Sequence, residues 1–159
     1  MGLKEFDAPF DTELHEILQL TETDMTIFYR QLAHVDIDGA AHATDDELMA
    51  PLLDAYYTPD ELTDEYKQRL GAWLRTYSQN VLPNRKEIMD KANPKYVLRN
   101  YMAQLAIDQA EEGDYSLVNE LLELLRRPYD DQPDQAEYAQ KRPDWAKNRA
   151  GCSMLSCSS

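Results

Sequence analysis

Both cysteines of the chain, Cys152 and Cys157, stand in its closing segment, Ala150-Gly151-Cys152-Ser153-Met154-Leu155-Ser156-Cys157-Ser158-Ser159. A thiol inside a core behaves as a small hydrophobe, whereas one on a terminus of small residues is free to oxidise or to reach a distant partner. The placement predicts chemistry rather than packing, with 150–159 a flexible tail. Local charge separates the two: Lys147 and Arg149 lie close upstream of Cys152 and favour its thiolate, while Cys157 has the terminal carboxylate beside it and no cation nearby. Reactivity at Cys157 therefore needs help from elsewhere in the fold.

A second group with chemical potential is Tyr96, Arg99, Asn100 and Tyr101. An arginine, an asparagine and two tyrosines beside an apolar stripe suit a polar docking face, and they equally suit a packing network that holds the chain beyond Pro128. The packing network is the favoured reading. Asp36, Asp38 and Glu47 take the first, third and twelfth places of a calcium loop, but Ala41 stands where that loop's sharp turn requires glycine and Ala40 replaces a ligand. They are read as an ordinary interhelical loop. His15, His34 and His42 share no helical face and form no zinc pattern with the cysteines, so no metal is expected. Neither a glycine-rich phosphate loop nor a Gly-x-Ser-x-Gly elbow occurs, and the many carboxylates are read as solvated faces rather than an acid/base pair. No cofactor is expected for this chain.

The elements that must position these residues follow a helical period, with no convincing alternating strand. Leu14, Ile17 and Leu18 follow Asp11 or Thr12 as a cap, and Met25, Phe28, Tyr29 and Leu32 follow Thr23. Thr44-Asp45-Asp46-Glu47 has the capping-box pattern ahead of Leu48, Leu52 and Leu53, and Thr58-Pro59-Asp60-Glu61 repeats the start signal. The clearest stripe is Tyr66, Leu70, Trp73, Leu74, Tyr77 and Val81, ended by Pro83. Asn93-Pro94 is expected to open a helix carrying Val97, Leu98, Tyr101, Met102 and Leu105 that stops at Gly113. Asp114 or Ser116 then caps a last helix bearing Leu117, Leu121, Leu122, Leu124 and Leu125, antiparallel to its predecessor. Past Pro128 the composition turns to proline and charge, and Tyr129, Tyr138 and Trp145 are expected to anchor an irregular strap. The fold class expected is all-α, an irregular bundle of six to seven helices with a proline-rich strap, forming one domain over 1–149.

Of the formal net charge of −14, most sits in front: residues 1–66 hold two cationic side chains, Lys4 and Arg30, against seventeen acidic ones. Nucleic acid is a poor partner for such a chain, because binding it needs clustered lysine and arginine to displace counterions. Apolar runs are too short to span a membrane, and Met1-Gly2-Leu3-Lys4-Glu5-Phe6-Asp7 lacks the basic start and apolar stretch of a signal peptide. A cytoplasmic setting is expected, where a permanent structural disulfide is not the default.

Asn93-Pro94-Lys95-Tyr96-Val97-Leu98-Arg99-Asn100-Tyr101, then Ala110-Glu111-Glu112-Gly113-Asp114-Tyr115, then Arg127-Pro128-Tyr129 with Gln132-Pro133, Arg142-Pro143-Asp144-Trp145-Ala146 and the closing Cys157-Ser158-Ser159, resemble the C-terminal end of the selenoprotein O family. The resemblance runs in order from about Trp73 to the last residue, and residues 1–72 fit less distinctively. It implies a parent protein with a protein-kinase-like fold that binds ATP and magnesium in a flipped orientation and transfers AMP to hydroxyl side chains of proteins. Selenocysteine or cysteine sits third from the end in such proteins, the position of Cys157. The nucleotide-binding lysine and the metal-binding aspartate and asparagine of the family lie upstream of anything here, so no residue of this chain inherits those roles.

The resemblance therefore implies a C-terminal region without its own ATP site, whose first partner is the missing N-terminal kinase-like part of the same protein. It further implies a redox switch in which Cys157 pairs with a cysteine of that part. The competing reading is a stand-alone acidic helical module that docks a partner protein. A small thiol oxidoreductase is disfavoured, because no Cys-x-x-Cys opens a helix after a strand.

Overall fold

The computed structural model describes residues 1–152 of the chain. Among them the fold is all-α: α1 (Ala8–Leu18), α2 (Met25–Leu32), α3 (Asp45–Met49), α4 (Asp64–Gln79), α5 (Arg85–Ala92), α6 (Asn100–Glu111) and α7 (Ser116–Leu125), with short 3-10 turns between and after them. Two isolated bridges, Leu3 with Val81 and Thr23 with Tyr56, are the only β-type pairings among the described residues. The sequence suggests one domain over 1–149. The chain groups into two compact units, Met1–Asn93 and a second from Pro94 onward.

Helix starts in the first unit are set by side chains that accept the unpaired amides of the first turn. The Asp7 carboxylate accepts from the Phe10 amide (3.2 Å) and Asp24 from the Ile27 amide (3.1 Å). The first cap lies upstream of the expected Asp11 or Thr12, where proline at the second position of α1 suits a start at Ala8, and the second falls one residue after the expected Thr23. Thr58-Pro59 starts only a 3-10 turn, Pro59–Glu61, and Thr63 takes over as cap of α4, accepting from the Tyr66 amide at 3.2 Å.

The capping box forms as expected. Thr44 Oγ1 accepts from the Glu47 amide (3.3 Å), while the Glu47 carboxylate accepts from both the Thr44 amide and hydroxyl (2.8 Å each). Those donors hold the Glu47 carboxyl below its ordinary value. A carboxyl lowered on folding contributes stability above its unfolded pKa, and that contribution is lost as pH falls through the folded value. Thr44→Ala is therefore expected to lower the thermal midpoint at neutral pH and to shrink the further drop seen on acidification to about pH 3, which melting curves at the two pH values check.

The core of the first unit is built on α4. Tyr66, Leu70, Trp73, Leu74 and Tyr77 are buried as their spacing predicts, packed with Leu14, Ile17 and Leu18 of α1, Phe28 and Leu32 of α2, and Leu48, Met49 and Leu52. Val81, the last member of the expected stripe, is buried beyond the end of α4, where it bridges Leu3. The Trp73 ring stacks on Phe10 (4.5 Å between centroids) and on Tyr77 (5.2 Å), and its indole N–H donates to the Phe10 carbonyl at 3.1 Å.

Helix α5 has no counterpart in the sequence reading. It contributes Met89 to the core, and it also buries Arg85, whose guanidinium donates to the carbonyls of Leu32 (2.9 Å) and Val35 at the end of α2. The same group lies 5.7 Å over the Tyr77 ring. Burial pushes the Tyr77 phenol up to about 12, with Arg85 acting against the rise.

In the second unit, residues 94–99 belong to no helix and α6 starts at Asn100, which corrects the expected helix from Asn93-Pro94. The amides of Lys95 and Tyr96 both donate to the Pro128 carbonyl (2.8 and 3.0 Å), and a helix there would have to surrender those bonds. Proline also biases Asn93 toward extended backbone. After α6 the chain turns at Gly113, whose φ of +90° favours glycine, and the Asp114 carboxylate accepts from the Ser116 amide at 2.9 Å to start α7. Tyr96, Met102, Ala106, Leu121 and Leu124 form a small core flanked by Leu117, Leu125 and Tyr138, whereas Leu122 faces solvent. The strap beyond Pro128 contains the 3-10 turns Pro133–Ala139 and Asp144–Ala146.

Candidate functional site

The residues singled out for docking lie at the start of α6, and each takes its position from the chain around it. Tyr96 is 1% exposed. Its hydroxyl donates to the Gln132 carbonyl (3.0 Å) and accepts from the Gln132 amide (3.2 Å), while the Lys95 ammonium sits 5.8 Å over its ring. Gln132 in turn donates from its side chain to the carbonyls of Leu124 (3.1 Å) and Arg127 (2.9 Å), closing the open end of α7. Lys95 also pairs with Asp131 at 2.6 Å. The Tyr96 phenol is thus occupied in holding the strap to α7.

Arg99 is the half-buried residue preceding α6, and its carbonyl accepts from the amides of Met102 and Ala103 (3.0 and 3.1 Å). Asn100 opens the helix, and Tyr101 meets the Trp145 ring edge-on at 5.9 Å. Tyr96 and Tyr101 therefore face different parts of the strap, residues 131–132 and Trp145. Of the three aromatic anchors expected there, Trp145 touches Tyr101, and Tyr138 packs on the core with its hydroxyl donating to Glu120 at 3.1 Å. Tyr129 is 45% exposed. Tyr96→Phe is expected to cost about 1–2 kcal/mol, because it removes a partner from the Gln132 backbone amide and carbonyl together, and urea titration followed by circular dichroism checks this.

Cys152 departs from the sequence expectation. Expected on an open tail, it is 3% exposed, a free thiol packed away from water. The chain just before it is held against α6: the Arg149 guanidinium pairs with the Asp108 carboxylate and lies 5.6 Å over the Trp145 ring. Gln104 braces Asp108 with a 2.8 Å bond. Gly151, at φ +82°, passes so close to Gln104 that a Cβ there would sit 2.0 Å from its Oε1. A turn bond from the Cys152 amide to the Arg149 carbonyl (3.1 Å) completes the attachment. None of Gln104, Asp108 and Gly151 was distinguishable in sequence, and only Arg149 carried a signal, as a cation close upstream of Cys152. Cys157 lies outside the described residues.

The remaining candidates resolve into local structure. The Asp36 carboxylate accepts from the amides of Asp38 (3.0 Å) and Gly39 (3.2 Å), and Glu47 belongs to the capping box. Among the described residues no three His, Cys, Asp or Glu side chains converge as metal ligands, and no helix is long and apolar enough to cross a membrane. An open concavity of about 430 Å³ beside α7 is lined by Glu120, Glu123, Asp131 and Asp134 with Arg127, a surface suited to cations rather than to nucleotide phosphates.

A family profile described as Protein adenylyltransferase SelO matches residues 4–126. Curated relatives align with nearly the whole chain. The protein nucleotidyltransferase YdiU of Rhodopirellula baltica is 50% identical over 100% of this chain and 32% of its own length. Its namesakes from Azoarcus sp. and Flavobacterium johnsoniae are 47% and 46% identical over 99% and 98% of the chain, and 30% of theirs. The chain thus spans about a third of the length of these relatives, and residues 1–72, expected to fit less distinctively, are covered as fully as the rest.

Proposed function

Because this chain belongs to the protein adenylyltransferase SelO family, we propose that it is the C-terminal helical region of an enzyme that transfers AMP from ATP to serine, threonine or tyrosine hydroxyls of proteins. In that reaction the acceptor oxygen bonds to the α-phosphorus of ATP, the bond to the β-phosphate breaks, pyrophosphate leaves and the hydroxyl proton passes to base. The ATP and its magnesium belong to a kinase-like part supplied outside these residues, in the same cytoplasmic protein. This region contributes scaffold.

The observation that carries the reading is the alignment itself, near half identity along the whole chain against only a third of each relative. Isothermal titration of Mg-ATP into the 159-residue chain is expected to give no binding heat, while the polypeptide extended to the length of its relatives modifies protein substrates by the mass of AMP. Tight Mg-ATP binding by the short chain would overturn the proposal.

Cys157 is proposed as the redox element of that enzyme, forming a disulfide with a cysteine of the kinase-like part as two thiols give two electrons and two protons to a disulfide or peroxide oxidant. Cys152 is not its equal in this, since its burial protects it from exchange. Mass spectrometry of the full-length protein under mild oxidation is expected to find Cys157 linked, and finding no Cys157 adduct removes the redox role.

A further inference from the structure

Helix α7 is apolar on more of its circumference than its own unit covers. Leu121 and Leu124 turn into the small core, yet Tyr115 (59% exposed), Val118 (41%) and Leu122 (51%) lie three and four residues apart in a second stripe that meets solvent. Asn119, Glu123 and Arg126 border it on one side, all exposed, so the stripe has the polar edge of an interaction surface beside its apolar residues. A helix apolar around most of its girth is normally buried on all of those sides.

We propose that this Tyr115, Val118 and Leu122 face of α7 is the seat on which the kinase-like remainder of the full-length protein packs. The inference rests on the function proposed above, and two observations select this occupant. The first is length: about two thirds of each aligned relative lies outside these residues, so a large body of the same polypeptide is available at the high effective concentration that covalent continuity gives. The second is the size of the second unit's core. Seven buried apolar side chains among the described residues, five of them in one cluster, are few for a unit of this length, and small units below the usual domain size need another surface to complete them.

Hydrogen exchange of the α7 amides, compared between the 159-residue chain and the full-length polypeptide, tests the seat. Exchange is expected to slow at least tenfold in the full-length protein. Leu122→Glu, at an exposed position, is expected to leave the helicity and melting of the short chain unchanged while abolishing the added protection in the full-length one. Equal exchange in the two forms, or protection that survives Leu122→Glu, overturns the seat. So does protection in the short chain that rises with its own concentration and disappears in the variant, which assigns the stripe to a second copy. AMP transfer by the same full-length sample separates the two claims: activity with an unprotected α7 sinks the seat alone, and absence of activity sinks the functional reading.

Discussion

Trp73→Ala is expected to destabilise the first unit by about 3–5 kcal/mol, measured as a fall in the urea midpoint. The side chain is 2% exposed between Phe10 and Tyr77, both rings nearly parallel to it at interplanar angles of 10° and 14°. Removing the indole leaves a void that two aromatic rings, fixed on α1 and α4, cannot close without tilting out of their own contacts. It also strips the Phe10 carbonyl of its donor. Set against a total folding free energy of about 5–15 kcal/mol for a domain, the loss is about a fifth or more. Trp73→Phe, which keeps a ring in the stack, is expected to recover most of the loss, and a variant as unstable as alanine would contradict the stacking account.

Arg85→Met is the second large effect, about 2–4 kcal/mol of destabilisation in the same titration. Methionine matches the length of the aliphatic stem and fills the space, but it leaves the Leu32 and Val35 carbonyls without a donor at the closed end of α2. Burying a guanidinium has its own desolvation cost, which methionine relieves, so the net loss is smaller than two charged hydrogen bonds in isolation. Arg85→Lys keeps the charge, yet a single ammonium cannot present the planar fork that serves both carbonyls, and an intermediate loss is expected. Because the Tyr77 phenol sits under Arg85, Arg85→Met also raises the pH at which Tyr77 ionises on alkaline titration, the direction left when burial acts unopposed.

These two sites mark what the sequence made legible and what it hid. The α4 stripe was readable because five large side chains repeat at helical spacing, and the capping box because its residue types leave few alternatives. Helix α5 was hidden, since Ile88 and Met89 are its only large apolar residues and one of its two buried side chains is an arginine, which no periodicity scan counts as core. Residues 94–99 misled in the opposite sense: their composition suits a helix, but the Pro128 carbonyl, more than thirty positions away, claims the Lys95 and Tyr96 amides.

The same holds for the candidate site. Tyr96 was identifiable as a residue with a task, but its partner, the Gln132 backbone, carries no side-chain signature. Cys152 looked exposed because glycine, serine and alanine surround it in sequence, whereas Arg149 and Gly151 lie against Asp108 and Gln104 of α6 in space. Tertiary pairing over forty positions overrides what neighbours in the chain suggest.

The unequal cores have a consequence for how the molecule yields to attack. Twenty buried apolar side chains cluster in the first unit, against seven buried in the second among the described residues, so the α6–α7 hairpin and its strap should open by excursions far cheaper than global unfolding. A protease held at low activity would therefore cut beyond Pro94 first and leave the front helices as a resistant remnant.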